Sequence, residues 1–329
     1  MVFKRMLGAF GVGAPSVDTV LATPRVQPGG SLRGEVRIKG GDFDADIEYV
    51  ALGLVTRVES EHGEGEQIGL VEFFRTQVSG PFRLRTAEDR IVPFQLPVPW
   101  EAPVTEIAGQ RLHGMAMGVR TELAIAKAVD KGDMDPVEIE PTASQEAVLR
   151  AFSQLGFHFK SADLERGRIY GVSQQLPFFQ EIEFYPPAQY SGQINEVELT
   201  FVANPAGLDV IVEADKRGGR YSSGTDAVGR FQLTHEQALQ VDWAAEINSW
   251  VASLSQHHGG SHTAGHDPYG QYGGHHGGHH DSHHGHHGGG PGLGGIAAAG
   301  AAGVVGGFVA AEAVDEIGDF FEGEEGEEE

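Results

Sequence analysis

At 329 residues, with no cysteine and a formal net charge of −24, the chain exceeds a usual single domain. It can form no disulfide, thiol nucleophile or cysteine-bound metal centre, and its field opposes nucleic-acid phosphates and anionic lipid. All 23 Lys and Arg but only 35 of the 47 Asp and Glu precede residue 256, and ten acids crowd between Glu312 and Glu329.

Residues 1–13 carry two bases and no apolar core of signal-peptide length, so a cytoplasmic chain is expected. From residue 17 to 139, short alternating runs separated by turn residues predict a many-stranded antiparallel fold. The first strand covers residues 17–21. After the Pro28-Gly29-Gly30 turn, a second strand places Leu32, Gly34, Val36 and Ile38 on one face and Arg33, Glu35 and Arg37 on the other. Residues 47–58 form a longer strand with Val50, Leu52, Leu54, Thr56 and Val58 at period two, followed by a polar loop over 59–67. Further strands are expected at 70–77, 95–98 and 113–128. Pro93, Pro97, Pro99 and Pro103 punctuate the approach to the last of these, which suits an edge strand or sandwich corner.

Residues 144–154 predict a connecting helix with Ala147, Val148, Ala151 and Phe152 on one face. Strands resume at 156–160, 180–185, 196–203, 208–215 and 230–233, enough for a second sandwich between 142 and 252. Residues 239–254 close this part as a helix carrying Trp243, Ile247, Trp250 and Val251, which read as packing anchors.

Several strings resemble a bacterial sporulation-control family, the Spo-zero-M type. They are VQPGGSLRGEVRI (26–38), IVPFQLPVPW (91–100) and VRTELAIAKAVDKGDMDPVEIE (119–140), continued by FFQEIEF (178–184) and DKRGGR (215–220). The resemblance spans residues 1–255. It implies an all-β, arrestin-like fold of two consecutive antiparallel β-sandwich domains. It also implies a regulator of sporulation or morphological differentiation that acts through protein contacts and brings no catalytic residues.

The residues themselves offer little chemistry. The globular histidines His62, His113, His158 and His235 are scattered. His62 sits among Glu59, Glu61, Glu64 and Glu66, which reads as a solvated acidic loop. Asp130, Asp133 and Asp135 in DKGDMD fail the calcium-loop pattern, because position six is Asp135 where a glycine is required. They read as an inter-domain turn. Gly218 and Gly219, flanked by Lys216, Arg217 and Arg220, lack the strand-to-helix context of a phosphate loop and read as a hairpin tip.

The tail departs from the family pattern. Residues 257–287 hold 12 of the 16 histidines, including His275, His276, His279, His280, His283, His284, His286 and His287. Imidazoles spaced by glycine can converge on zinc, nickel or copper. Residues 293–311 are uncharged, with Gly295, Ala299, Gly303, Gly307 and Ala311 at every fourth position. On a helix these would form a small-residue face suited to self-association or membrane contact, and a mobile Gly/Ala linker is the alternative. The sequence therefore divides into an N-terminal sandwich (1–141) and a C-terminal sandwich with its closing helix (142–255). A His/Gly-rich linker (256–291), a Gly/Ala-rich segment (292–311) and an acidic tail (312–329) follow. The expected function is a non-enzymatic scaffold that requires no cofactor, binds protein partners and not nucleic acid. Metal storage or sensing through the His-rich tail is the alternative.

Overall fold

The computed structural model describes residues 13–62, 65–216, 227–256 and 307–308. In its first half the strands are β1 (Ser16–Leu21), β2 (Arg25–Val26), β3 (Ser31–Lys39), β4 (Ala45–His62), β5 (Gly65–Ser79), β6 (Phe82–Leu84), β7 (Asp89–Pro97), β8 (Glu106–Ile107), β9 (Gln110–Arg111), β10 (Met117–Ile125), β11 (Lys131–Pro136) and β12 (Glu138–Ile139). Helix α1 (Ala143–Gln154) follows. Then come β13 (His158–Arg166), β14 (Phe178–Tyr185), β15 (Ile194–Asn204), β16 (Gly207–Lys216) and β17 (Ala227–Thr234). Helices α2 (His235–Ala238) and α3 (Trp243–Gln256) close this part, and β18 (Gly307–Phe308) lies in the tail.

Strands β1, β3 and β7 form a three-stranded antiparallel sheet in that order. Leu32, Val36 and Ile38 alternate inward as expected and meet Val92, Phe94 and Leu96 of β7 in one apolar cluster. Glycine is required between them at position 34. A Cβ there would stand 2.3 Å from the Val20 carbonyl oxygen and 2.8 Å from the Phe94 ring. Strand β7 pairs only with β3 among the described residues, so Pro93 and Pro97 sit on a sheet edge where a missing N–H is tolerated.

The second sheet is organised by β4. It pairs with β10 and, by a single parallel pair at Glu59 and Glu165, with β13; β5 and β6 also pair with it. Val50, Leu52, Leu54 and Val58 enter the first apolar cluster. Ala51 and Val55, on the opposite face, are buried as well. Of residues 59–67, expected as a polar loop, residues 59–62 and 65–67 instead belong to the β4–β5 hairpin, with Glu59 opposite Ile68 and His62 opposite Gly65. Polar composition misleads there because the hairpin is carried by its backbone ladder. The DKGDMD string (130–135), expected as a turn, instead enters β11 at Lys131, and β11 pairs with β10 from Lys131 opposite Leu123 to Pro136 opposite Gly118.

Strands β13 to β17 continue the same sheet as an antiparallel run. The layer that covers one face of this run is helical. Val148, Leu149, Ala151 and Phe152 of α1 and Trp243, Ile247 and Val251 of α3 pack with Ile182, Phe184, Val197, Leu199, Val210 and Val212. A capping box starts α1, with the Thr142 side chain accepting from the Gln145 backbone N–H and Gln145 Oε1 accepting from the Thr142 N–H. Gly156, at φ +83°, follows its C-terminus in the left-handed conformation. Thr234 and Gln237 repeat the box at α2. The closing helix begins at Trp243 and not at residue 239, and the Trp243 indole donates to the Ala238 carbonyl at 2.7 Å.

The two apolar clusters exchange members. Val104 and Leu112 belong to the second, whereas Leu164, Leu176 and Phe178 belong to the first. Gln180 ties the segments together: its Oε1 accepts from Val104 N–H at 2.9 Å and its Nε2 donates to the Val104 carbonyl at 2.7 Å, both buried. Glu101 accepts from the backbone N–H groups of Gln175 and Leu176 at 2.8 and 2.7 Å. The ring of His235 bridges Ser144 Oγ and the Asn204 carbonyl and lies 5.2 Å from the Trp100 ring. No described helix is long and apolar enough to cross a membrane. In the tail, Gly307 and Phe308 pair antiparallel with Glu72 and Val71 of β5.

Gln180→Leu leaves the buried Val104 N–H and C=O without partners and should cost about 1–3 kcal/mol. Gly34→Ala overpacks the β1–β3–β7 sheet and should cost about 1–3 kcal/mol. Urea denaturation, read as a lowered midpoint with an unchanged slope, checks both.

Candidate functional site

The face of β13–β16 turned away from the helices carries carboxylates where the other face carries aliphatics. Alternation accounts for this. In β14, Ile182 and Phe184 face the helices and Glu181 and Glu183 face away; in β15, Val197 and Leu199 alternate with Glu196 and Glu198. Asp163 and Glu165 of β13 and Glu213 of β16 extend the pattern. Register places Asp163 opposite Glu181, Glu183 opposite Glu198, and Glu198 opposite Glu213. All seven side chains are half-buried. Like charges directly opposite one another oppose strand pairing, so the apolar face must hold the ladder.

Lys160 neutralises part of the row. Its ammonium bonds Glu183 at 2.8 Å and also bonds Glu196. Burial would raise the Glu183 carboxyl, but the hydrogen bonds from Lys160 and Ser161 prevail and hold it below the ordinary range. Glu181 and Glu198 behave oppositely. Burial, then the charges of Glu198, Asp163, Glu165 and Glu213, push Glu181 up to about 8. Burial, then Glu213, Glu196 and Glu183, push Glu198 up to about 7. Part of this face therefore gains charge as pH passes from below neutral to mildly alkaline.

Carboxylate oxygens of Asp163, Glu165 and Glu181 lie within 4.8 Å of one another. Such a set matches the oxygen donors preferred by hard cations and equally a contact with Lys or Arg side chains. At the far end of the same face the surface closes over: Asp209, 3% exposed, takes Arg230 at 2.8 Å, and Gly171 lies against that guanidinium.

The residues singled out in the sequence lie elsewhere. The eight tail histidines His275, His276, His279, His280, His283, His284, His286 and His287 fall outside the described residues, as do Arg217, Gly218, Gly219 and Arg220. Strand pairing places His62 beside Gly65 at the tip of the β4–β5 hairpin. Of the DKGDMD acids, Asp130 accepts the Ile125 N–H at 2.9 Å, and Asp133 accepts the Thr19 N–H at 2.6 Å. The acidic face was missed in the sequence although its signal was present, as acids at period two in QEIEF and NEVEL between aliphatics of opposite phase.

Residues 3–218 match the Spo0M family, described as SpoOM protein. Over 218 residues the chain is 34% identical to the sporulation-control protein Spo0M of Bacillus subtilis strain 168, covering 65% of this chain and 81% of that one. The crystal structure of Spo0M from Bacillus subtilis matches with a TM-score of 0.64 at 28% identity, covering 74% of this chain and 99% of the other. The fold is accordingly all-β and arrestin-like, as the resemblance implied. The chain belongs to the Spo0M family.

Proposed function

We propose that this protein is a non-enzymatic regulatory scaffold of the sporulation or differentiation programme that acts in the cytoplasm by binding other proteins. The family relation, with a relative named for sporulation control, supports the regulatory part of this reading. The observation that carries the binding part is the acidic face of β13–β16, where seven half-buried carboxylates share one sheet face and Lys160 holds two of them, Glu183 and Glu196. A surface of this sign speeds encounter with a basic partner segment and rejects acidic ones. A rigid sheet holds the carboxylates at fixed spacing, so Lys and Arg side chains of the partner find their acceptors already ordered.

A crosslinking pull-down from sporulating cells tests the reading. It compares the full chain with a full-length variant carrying Glu181→Gln, Glu198→Gln and Glu213→Gln at pH 8.5, above the range in which Glu181 and Glu198 titrate. Partners held by the wild type at low salt should be lost from the variant and weakened in the wild type as salt rises. Equal capture by both chains would remove the face from the binding surface.

The same face sets a pH dependence. Glu181 and Glu198 have folded-state values above those of the unfolded chain, so the stability they contribute is complete below about pH 4 and is lost as pH rises through 7 to 8. The thermal midpoint should fall between pH 6 and 8.5, and Glu181→Gln should flatten that fall. Differential scanning calorimetry across this range checks both.

A further inference from the structure

One side of the first apolar cluster is closed where two sheet edges meet. Strand β1 ends the three-stranded sheet, β11 ends the larger one, and the two lie against each other. Edge strands expose unpaired backbone groups, and here a side chain satisfies one of them: Asp133 of β11 accepts the Thr19 N–H at 2.6 Å. Beside it the Thr19 and Thr121 hydroxyls meet at 2.6 Å in a buried contact that joins β1 to β10.

The register of β11 decides what else enters the seam. Asp133 lies opposite Thr121, and Asp135 opposite Val119. Thr121 and Val119 are both fully buried. Two carboxylates two residues apart on an edge strand therefore point inward, while Met134 between them lies opposite Arg120 on the outer side. Asp135 Oδ2 is buried and has no hydrogen-bond partner. The charged groups that bear on it are Asp133 from its own strand and Asp18 from β1. From β10 it faces the neutral Val119 and Thr121. Arg37 of β3, the register partner of Asp18, is engaged by Glu35 at 2.7 Å.

We infer that the β1–β11 seam is a proton-controlled latch, closed while the Asp135 carboxyl is neutral and loosened when it ionises against Asp133 and Asp18. Neutral Asp135 adds no charge to the seam and can hydrogen-bond the Asp133 carboxylate, leaving Asp133 to hold Thr19. Ionised Asp135 places three negative charges at one sheet junction, one of them in a site where an oxygen has no donor. Separation of the strands rehydrates that oxygen and spreads the charges, and it frees the edges of β1 and β11 for strand addition. Burial, then the charges of Asp133 and Asp18, then the hydrogen bond with Asp133, push the Asp135 carboxyl up to about 7. The latch is thus set to respond around neutrality.

Amide hydrogen exchange of the full-length protein, followed by mass spectrometry at pH 6, 7 and 8 and corrected for the intrinsic rate at each pH, tests the latch. Protection of residues 16–21 and 131–136 should fall about tenfold from pH 6 to 8, as linkage requires for an ordinary carboxyl in the open seam. Helix α1, which holds none of the titrating carboxylates, serves as the internal reference. Asp135→Asn should abolish the fall, because the amide stays uncharged. Asp18→Asn, at an exposed position, should move the midpoint to lower pH by removing one repelling charge. Protection of the seam that does not change with pH in the wild type would overturn the inference. So would a fall of equal size in Asp135→Asn, or a midpoint unmoved in Asp18→Asn.

Discussion

Strand β4 is the constraint on which the remaining structure depends. Its central residues are buried on both faces, with Val50, Leu52, Leu54 and Val58 in the first apolar cluster and Ala51 and Val55 covered on the other side. A strand in that position can satisfy its backbone only through neighbours, since water reaches neither face. β10 and β5 supply most of those bonds, and β6 and β13 extend the pairing at its two ends. The three-stranded sheet is positioned by packing on β4 and its neighbours, and β13 continues the larger sheet from it. A substitution that broke the apolar run of β4 would therefore disturb the first core and the attachment of β13 together.

The acidic face follows from the same logic of two-sided strands. In β14 and β15 the apolar phase is committed to α1 and α3, so the alternate phase is free to carry charge. What holds like charges opposite one another is the burial of Ile182, Phe184, Val197 and Leu199 beneath the helices. At about 1.5–3 kcal/mol for each fully buried large aliphatic or aromatic side chain, this outweighs cross-strand repulsion of under about 1 kcal/mol per pair. Proton uptake relieves the remainder at Glu181 and Glu198. A salt bridge relieves it at Glu183, where Lys160 keeps the carboxyl ionised. One row thus contains groups fixed in charge and groups that titrate near neutrality.

Much of the architecture was legible in the residues. Period-two alternation located β3, and the long apolar run located β4. Helical spacing of Val148, Ala151 and Phe152 located α1. Thr142 with Gln145, and Thr234 with Gln237, were available capping signals that would have set helix starts more closely than apolar periodicity did. The failures share one cause. Residues 59–62, 65–67 and 131–136 are largely polar or acidic, and their strand conformation is imposed by the neighbouring strand of a hairpin: Gly65 to Ile68 pair back onto Glu59 to His62, and Lys131 to Pro136 are drafted by β10. Composition records burial, and these segments gain their order from ladder hydrogen bonds. The titrating groups were illegible for a related reason, because the shift at Asp135 or Glu181 depends on acids from other strands that only the register brings close.

The net charge of −24 then takes on a more specific meaning than solubility. A chain with twice as many acids as bases cannot pair every carboxylate with a cation. The surplus in the folded part is distributed in two ways: some acids remain in water, and some are buried close enough to one another to share protons. Asp135 does this against Asp133 at a sheet junction, and Glu181 and Glu198 do it on a sheet face; Asp135 stands on β11 at one end of the strand path, and the two glutamates stand on β14 and β15 further along it. Because both groups lie on the same hydrogen-bonded sheet, and both gain negative charge over the same pH interval, the loosening of an edge and the charging of a face are coupled through their shared dependence on protons even if no mechanical signal passes between them. A protein regulator built this way would present its strongest acidic surface under the conditions in which its β1–β11 edge is most open.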